Sequence, residues 1–422
     1  MVLKPERINI NKGISLNLIK MDKFKSNLLS LYLIIPLNRE EVTKNALLPL
    51  VLKRGTKELN TNLKIQRKLE ELYGSELNVD VNKTGEKQVI RFTIEGPKGR
   101  YVNDEKYMTQ IIDLLKSLVY NPYLEKDAFG FQYVKQEKEN LKRLIEARIN
   151  DKRSYAIGRC IEEMYINEKF SIYPLGYIED LDSIDNKILY EHYNKILDRV
   201  PIEIFYVGEY DNELTNYLID SFRIEREDVL KLERESITSN VQTKNMIHED
   251  MDINQGKLVL GYRTGIPYDS SLYNGLLVGS DILGGGPNSK LFRNVREAES
   301  LAYYIGSKVY KYKSLMIIDG GIDSHNLEKT IEIIRFEIDN MKKGIFTQED
   351  IDVSKKSIKA SMESIKDSIF LISEFFFSRE LSKDGRTLEE ALNDIERVTK
   401  EDIIESSNKI NLDTIYFLRN LR

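Results

Sequence analysis

Cysteine is nearly absent: Cys160 is the single one among 422 residues. No intrachain disulfide can form, which fits a reducing compartment, and a cytoplasmic location is the expectation. Cys160 lies in the apolar helical pattern RCIEEMY and reads as a packing residue rather than a reactive thiol. Histidine is almost as scarce. His192, His248 and His325 are the whole supply, no two at metal-ligand spacing and none near the cysteine. Each reads as an ordinary surface or half-buried residue, so no metal and no cofactor is expected. Long hydrophobic runs are missing too. The most apolar stretch, LLSLYLIIPL from Leu28 to Leu37, is too short to cross a bilayer, and MVLKPERINI lacks the apolar core of a signal peptide. A net charge of −5 gives no electrostatic case for nucleic acid or an anionic membrane as partner. The glycine-rich GGGPNSKLF lacks the lysine-serine ending of a phosphate loop, and no serine sits in a nucleophile elbow. Carboxylates are abundant, but none can be paired from sequence alone. The chain offers no self-sufficient active site.

What is present is a repeated order of elements. GISLNLIKM and NLLSLYLIIPL read as strands, and NALLPLVLKRGT as a helix stopped at Gly55. KIQRKLEELYGSEL is an amphipathic helix, and LNVDVNKTGEKQVIRFTIEG a hairpin turning at Lys83-Thr84-Gly85. Helices through Tyr107, from about Glu125 to Ile149 and through Cys160 follow, then ILYEHYNKIL and the strand PIEIFYVGEY. The order then recurs. GKLVLGYRTGIP answers NLLSLYLIIPL, SLYNGLLVGSDILGGG answers NALLPLVLKRG, and LDTIYFLRN answers the last strand. The expectation is an α+β chain of two similar halves, residues 1–225 and 249–422, with a polar connector over 226–248. Two such halves suggest a clam shell, with ligands favouring the interface between them.

The stretch GGGPNSKLFRNVREAESLAYYIGSKVY raises a narrower question, because Arg296 precedes Tyr303 across a helix-to-strand turn. Read alone, the two are most simply a helix-surface ion pair and a core tyrosine. Ser289, Lys290, Leu291, Phe292, Arg296, Glu297, Leu301, Ala302 and Tyr303 together, with the duplicated order of elements, resemble the second half of the insulinase, pitrilysin and mitochondrial-processing-peptidase family. Ser300 stands where that family has glycine. The resemblance covers almost the whole chain and implies that Arg296 and Tyr303 hold a substrate peptide near a backbone carbonyl. Guanidinium and phenol donors can share one such acceptor.

The first half departs from the family. Catalytic members carry H-x-x-E-H on a helix, two histidines gripping zinc and a glutamate activating water. Counting back from Arg54-Gly55-Thr56 places Ala46, Pro49 and Leu50 at those positions. The third ligand, a glutamate of the long helix, falls near Arg143 to Ile145, with Glu139 and Glu146 the closest carboxylates in sequence. None of Ala46, Pro49 and Leu50 can bind zinc or move a proton.

Longer segments, KFKSNLLSLYLIIPL and EKENLKRLIEARINDKRSYA among them, resemble a bacterial subgroup of inactive insulinase-type proteins. That subgroup occurs beside a zinc-bearing relative and is associated with 5-aminopentanol modification of elongation factor P. The resemblance implies a non-catalytic subunit of a heterodimeric zinc peptidase acting on a peptide or protein. The alternative is a peptide-binding or scaffolding protein that acts alone or as a homodimer. An independent enzyme is disfavoured by the missing ligands.

Overall fold

The structure, a computed structural model, describes residues 4–104, 106–239, 241 and 245–420. The first half begins with strands β1 (Glu6–Asn11), β2 (Ile14–Lys20) and β3 (Ser26–Pro36), then helices α1 (Val42–Leu52) and α2 (Asn62–Glu71). The hairpin β4 (Glu76–Thr84) and β5 (Lys87–Pro97) turns at Gly85, whose φ is +58°. Helix α3 (Tyr107–Tyr120), a short ladder of β6 (Leu124–Glu125) with β7 (Ala128–Phe129), and helices α4 (Phe131–Glu146), α5 (Lys152–Met164) and α6 (Asn186–Arg199) follow. Strand β8 (Ile202–Gly208) and helix α7 (Asn212–Phe222) close this half. The second half runs β9 (Asn245–Met251), β10 (Gly256–Arg263), α8 (Tyr273–Gly284), β11 (Ala302–Tyr310), β12 (Leu315–Ile322), α9 (Leu327–Lys342), α10 (Gln348–Glu363), α11 (Ile369–Ser382), α12 (Leu388–Glu396), α13 (Lys400–Asn408) and β13 (Asn411–Asn420).

The two larger sheets carry the duplication. One has the order β1-β2-β8-β3-β5-β4 and the other, read from its far edge, β9-β13-β10-β12-β11. In each, one pair is parallel, β2 with β8 and β9 with β13, and the other pairings are antiparallel. Strand β1 is the only member without a counterpart among the described residues.

Alternation along β3 explains why its sequence is apolar without interruption. Leu29, Leu31, Leu33 and Ile35 join one core, with α1 and α3, while Leu28, Tyr32 and Ile34 join another, with α11. A strand that is covered on both faces reads as a continuous hydrophobic run. The Tyr32 ring stacks on Phe377 of α11 at 4.0 Å, and its hydroxyl donates to Glu374 Oε1 at 2.7 Å. In the second sheet, Leu258, Leu260 and Tyr262 of β10 face α8 and α9, and Val259 faces α5. Gly261 lets α5 approach closely there: a Cβ would lie 2.1 Å from Met164 Sδ and would displace that side chain.

The compact units are therefore not the contiguous halves that the sequence suggests. One comprises residues 1–147, 172–233 and 365–385, and the other 148–171, 234–364 and 386–422. Helix α5, coded in the first half, covers the second sheet, and α11, coded in the second, covers the first. The connector also differs from the expectation. Arg226 donates through Nε to the Asp198 carbonyl at 3.1 Å and Leu230 N to the Arg199 carbonyl at 2.8 Å, fastening its start to the first unit. Its end is strand β9 of the second sheet. Residues 240 and 242–244 of the connector lie outside the described residues.

Candidate functional site

Helix α1 carries Ala46, Pro49 and Leu50, the residues that the resemblance sets against the zinc motif. It packs against β4, β5, α4 and α6, and most of its side chains are buried. Ala46 is 1 % exposed, Pro49 is buried, and Leu50 packs half-buried against the same core. Pro49 has no N–H to give the carbonyl four residues back, a defect inside a helix that surrounding packing offsets. Arg54, in the Arg54-Gly55-Thr56 end, reaches α4, where Nε lies 3.2 Å from Glu137 Oε1 and the guanidinium sits over Tyr133 at 5.2 Å. Glu137 is the buried carboxylate of α4, whereas Glu139, Arg143 and Glu146 are exposed. Among the described residues no three His, Cys, Asp or Glu side chains converge as a metal ion requires.

Under α1 runs a buried polar chain that sequence reading missed. His192 of α6 is 4 % exposed, so its reading as a surface or half-buried residue is corrected. His192 Nε2 meets Asn45 Oδ1 at 2.6 Å, and Asn45 Nδ2 donates to Gln88 Oε1 at 2.8 Å. Gln88 Nε2 donates to the carbonyls of Val42 at 3.0 Å and Pro174 at 2.6 Å. The signal was available: Leu189, His192, Tyr193 and Ile196 fall at i, i+3, i+4 and i+7, the stripe of a core-facing helix. His248 and His325 are exposed, and Cys160 is fully buried, with burial pushing its thiol up.

The Arg296–Tyr303 segment is built differently. Phe292–Ala298 is a turn of π-helix, a rare form found often at functional sites. Leu291 and Val295 bury its inner face. Lys290 Nζ lies 3.4 Å from Glu337 Oε2 on α9, and Asn294 Nδ2 donates to Glu337 Oε1 at 2.7 Å. Ser289 Oγ donates to the Gly286 carbonyl at 2.6 Å. The serine, lysine and leucine of the motif thus secure the turn. Arg296 is exposed, makes no ion pair among the described residues, and lies over the Phe292 ring at 4.6 Å. Leu301 N donates to the Val295 carbonyl at 2.9 Å, and Ser300 between them has φ +52°. The left-handed conformation that glycine adopts freely is kept here by serine, at a cost of about 1 kcal/mol.

Tyr303 is 65 % exposed and is not a core tyrosine. It follows Ala302 at the start of β11, an edge strand. Ala302 pairs with Ile322 and Tyr304 with Gly321, which leaves Tyr303 as the extra residue of a β-bulge. The parity of the strand shows the same shift. Ala302 and Ile305 both face the core, which strict alternation forbids, and Tyr303 is the residue displaced outward. The π-turn packs against β11, so an exposed guanidinium and an exposed phenol flank one packed joint at a sheet edge. The structure records no hydrogen bond between them among the described residues.

A sequence profile described as the peptidase M16 inactive domain matches residues 183–358. The chain is 38 % identical over 409 residues to the probable inactive metalloprotease YmfF of Bacillus subtilis, covering 96 % of each. It is 29 % identical over 150 residues to the uncharacterized zinc protease YmxG of the same organism, covering 35 % of this chain and 36 % of that one. In structure it is similar to a conserved protein of Enterococcus faecalis, with TM-score 0.89 and 28 % identity, over 99 % of this chain and 98 % of that one. No helix among the described residues is long and apolar enough to cross a membrane. The chain belongs to the M16, insulinase-type peptidase family, as a homologue that lacks the H-x-x-E-H zinc site.

Proposed function

We propose that this protein is the non-catalytic subunit of a cytoplasmic, heterodimeric M16 peptidase. A zinc-bearing relative supplies H-x-x-E-H, and this chain supplies peptide contacts through Arg296 and Tyr303. The observation that carries the reading is the exposed bulge tyrosine on an edge strand beside an exposed arginine that makes no ion pair among the described residues. An edge strand offers free N–H and C=O groups to an extended peptide, giving sequence tolerance, and the two side chains add a point of capture. Replacement of the zinc positions by Ala46, Pro49 and Leu50 within a packed helix supports a role without chemistry of its own. The proposed role of the complex, drawn from the resemblance to the bacterial subgroup, is in 5-aminopentanol modification of elongation factor P.

Co-expression with a zinc-bearing relative tests the reading. Cleavage of a denatured protein substrate by each subunit alone and by both together should appear only, or far more strongly, with both. Deletion of either gene should leave elongation factor P without the aminopentanol group by mass spectrometry. Recovery of this chain without any H-x-x-E-H partner would remove the subunit role.

A further inference from the structure

We propose that Arg153 is a positioning residue for Tyr303, acting through Tyr304; the inference rests on the reading of Tyr303 as a peptide ligand. Arg153 stands in the first turn of α5. Its Nε donates to Asp319 Oδ2 at 2.6 Å and its Nη2 to Oδ1 at 3.0 Å, a two-point fork on a buried carboxylate of β12. The same guanidinium lies 4.7 Å from the centre of the Tyr304 ring. Lys257 of β10 holds its ammonium 5.5 Å from that ring. Below it is Gly321, where a Cβ would come within 2.6 Å of Tyr304 Cε1. Two cations and a bare backbone thus make a fitted seat for one aromatic ring.

The seat matters because of what the bulge leaves undecided. Residues 302 and 305 face the core, so 303 and 304 must share the outward turn. Both are tyrosines. A bulge moved by one residue would exchange them, placing Tyr303 over Gly321 and sending Tyr304 off the edge. The alternatives have the same side-chain chemistry, and only the surroundings separate them. Arg153, fixed by its fork to Asp319, stacks on Tyr304 and selects the register in which Tyr303 is free.

The test uses the purified full chain and a fluorescein-labelled, casein-derived peptide, followed by fluorescence anisotropy. If Arg153→Ala leaves the competent register populated about one time in ten, the apparent affinity falls about tenfold. Arg153→Lys, which keeps a cation but not the fork, should fall between that variant and wild type. Arg159→Ala is the control for general damage to α5, since Arg159 pairs with Glu162, Glu163 and Glu249 and not with Tyr304. It should lower the melting temperature and leave affinity unchanged. In protein labelled with 3-fluorotyrosine, the Tyr303 signal, assigned by its loss in Tyr303→Phe, should shift or split in Arg153→Ala only. Weaker binding by Tyr303→Phe with wild-type binding by Arg153→Ala overturns the positioning role and leaves the peptide-ligand reading intact. No binding by wild type, or no effect of Tyr303→Phe, overturns both.

Discussion

His192 Nε2 and Asn45 Oδ1, beside Ala46 on α1, are 2.6 Å apart, and the ring is the donor. The direction is forced from the far end of the chain. Gln88 Nε2 faces two carbonyls, so its Oε1 must accept from Asn45 Nδ2, and Asn45 Oδ1 must accept from the histidine. Nε2 of His192 therefore carries a proton, and the neutral ring is the Nε2–H tautomer. Burial first, then the charges of Lys44 and Lys195, hold its pKa down to about 4.

Stability should fall in mild acid for this reason. The unfolded chain takes up a proton on this histidine near its ordinary pKa of about 6.5, which the folded chain refuses until about 4. The contribution is complete above pH 6.5 and is lost as pH falls toward 4, by up to about 3 kcal/mol. Urea midpoints measured from pH 7.5 to 4.5 should decline less steeply in His192→Gln than in wild type. Parallel declines would show that the slope comes from other groups.

Ser300→Gly should stabilise the protein. Serine is exposed at φ +52°, so no buried contact is lost, and release of left-handed strain outweighs the greater freedom of unfolded glycine. The expected gain is about 0.5–1 kcal/mol, read as a rise in melting temperature. A lower melting temperature would mean that the serine hydroxyl supports the turn.

Arg296→Ala should reduce turnover of the assembled peptidase about tenfold to a hundredfold, the worth of a lost hydrogen bond from a charged donor of about 1.5–3 kcal/mol. Tyr303→Phe should cost less, about 0.5–1.5 kcal/mol. The double variant should lose less than the sum, because both donors serve one acceptor. Both side chains are exposed, so thermal melts of the isolated chain should barely change. Lost stability with intact turnover per folded complex would end the peptide-holding role.

Rebuilding the motif should fail. Ala46→His, Pro49→Glu and Leu50→His together place polar groups in a helix buried among β4, β5, α4 and α6. Overpacking and unpaired polar burial should cost upwards of about 3 kcal/mol. The third ligand is also missing, since Glu139 and Glu146 are exposed and Glu137 is committed to Arg54. Metal analysis after dialysis should find no stoichiometric zinc in the variant or in wild type. One zinc per chain with hydrolysis would overturn this.

Much of the architecture was legible in the sequence because it is written in local signals. The run NLLSLYLIIPL, the hairpin at Gly85 and the stripes of α2 and α3 each report their own period and turn chemistry. Their repetition pointed to two similar sheets, and the residue types Ala46, Pro49 and Leu50 carry no group that can bind zinc. The sequence was silent on what depends on distant partners. That α5 covers the second sheet and α11 the first follows from two-sided strands that need a second apolar cover, and periodicity cannot name which helix provides it. Strand β9 was missed because an edge strand buries few of its side chains and so lacks a clear alternation. Whether His192 is buried and neutral was decided by Asn45 and Gln88, 147 and 43 residues along the chain from their respective partners. Tyr303 could be read as buried or exposed until pairing with β12 made it the extra, outward residue of a bulge. Sequence fixes the side chains and their local rhythm; only long-range pairing fixes which way an individual side chain turns, because one residue of register reverses every face.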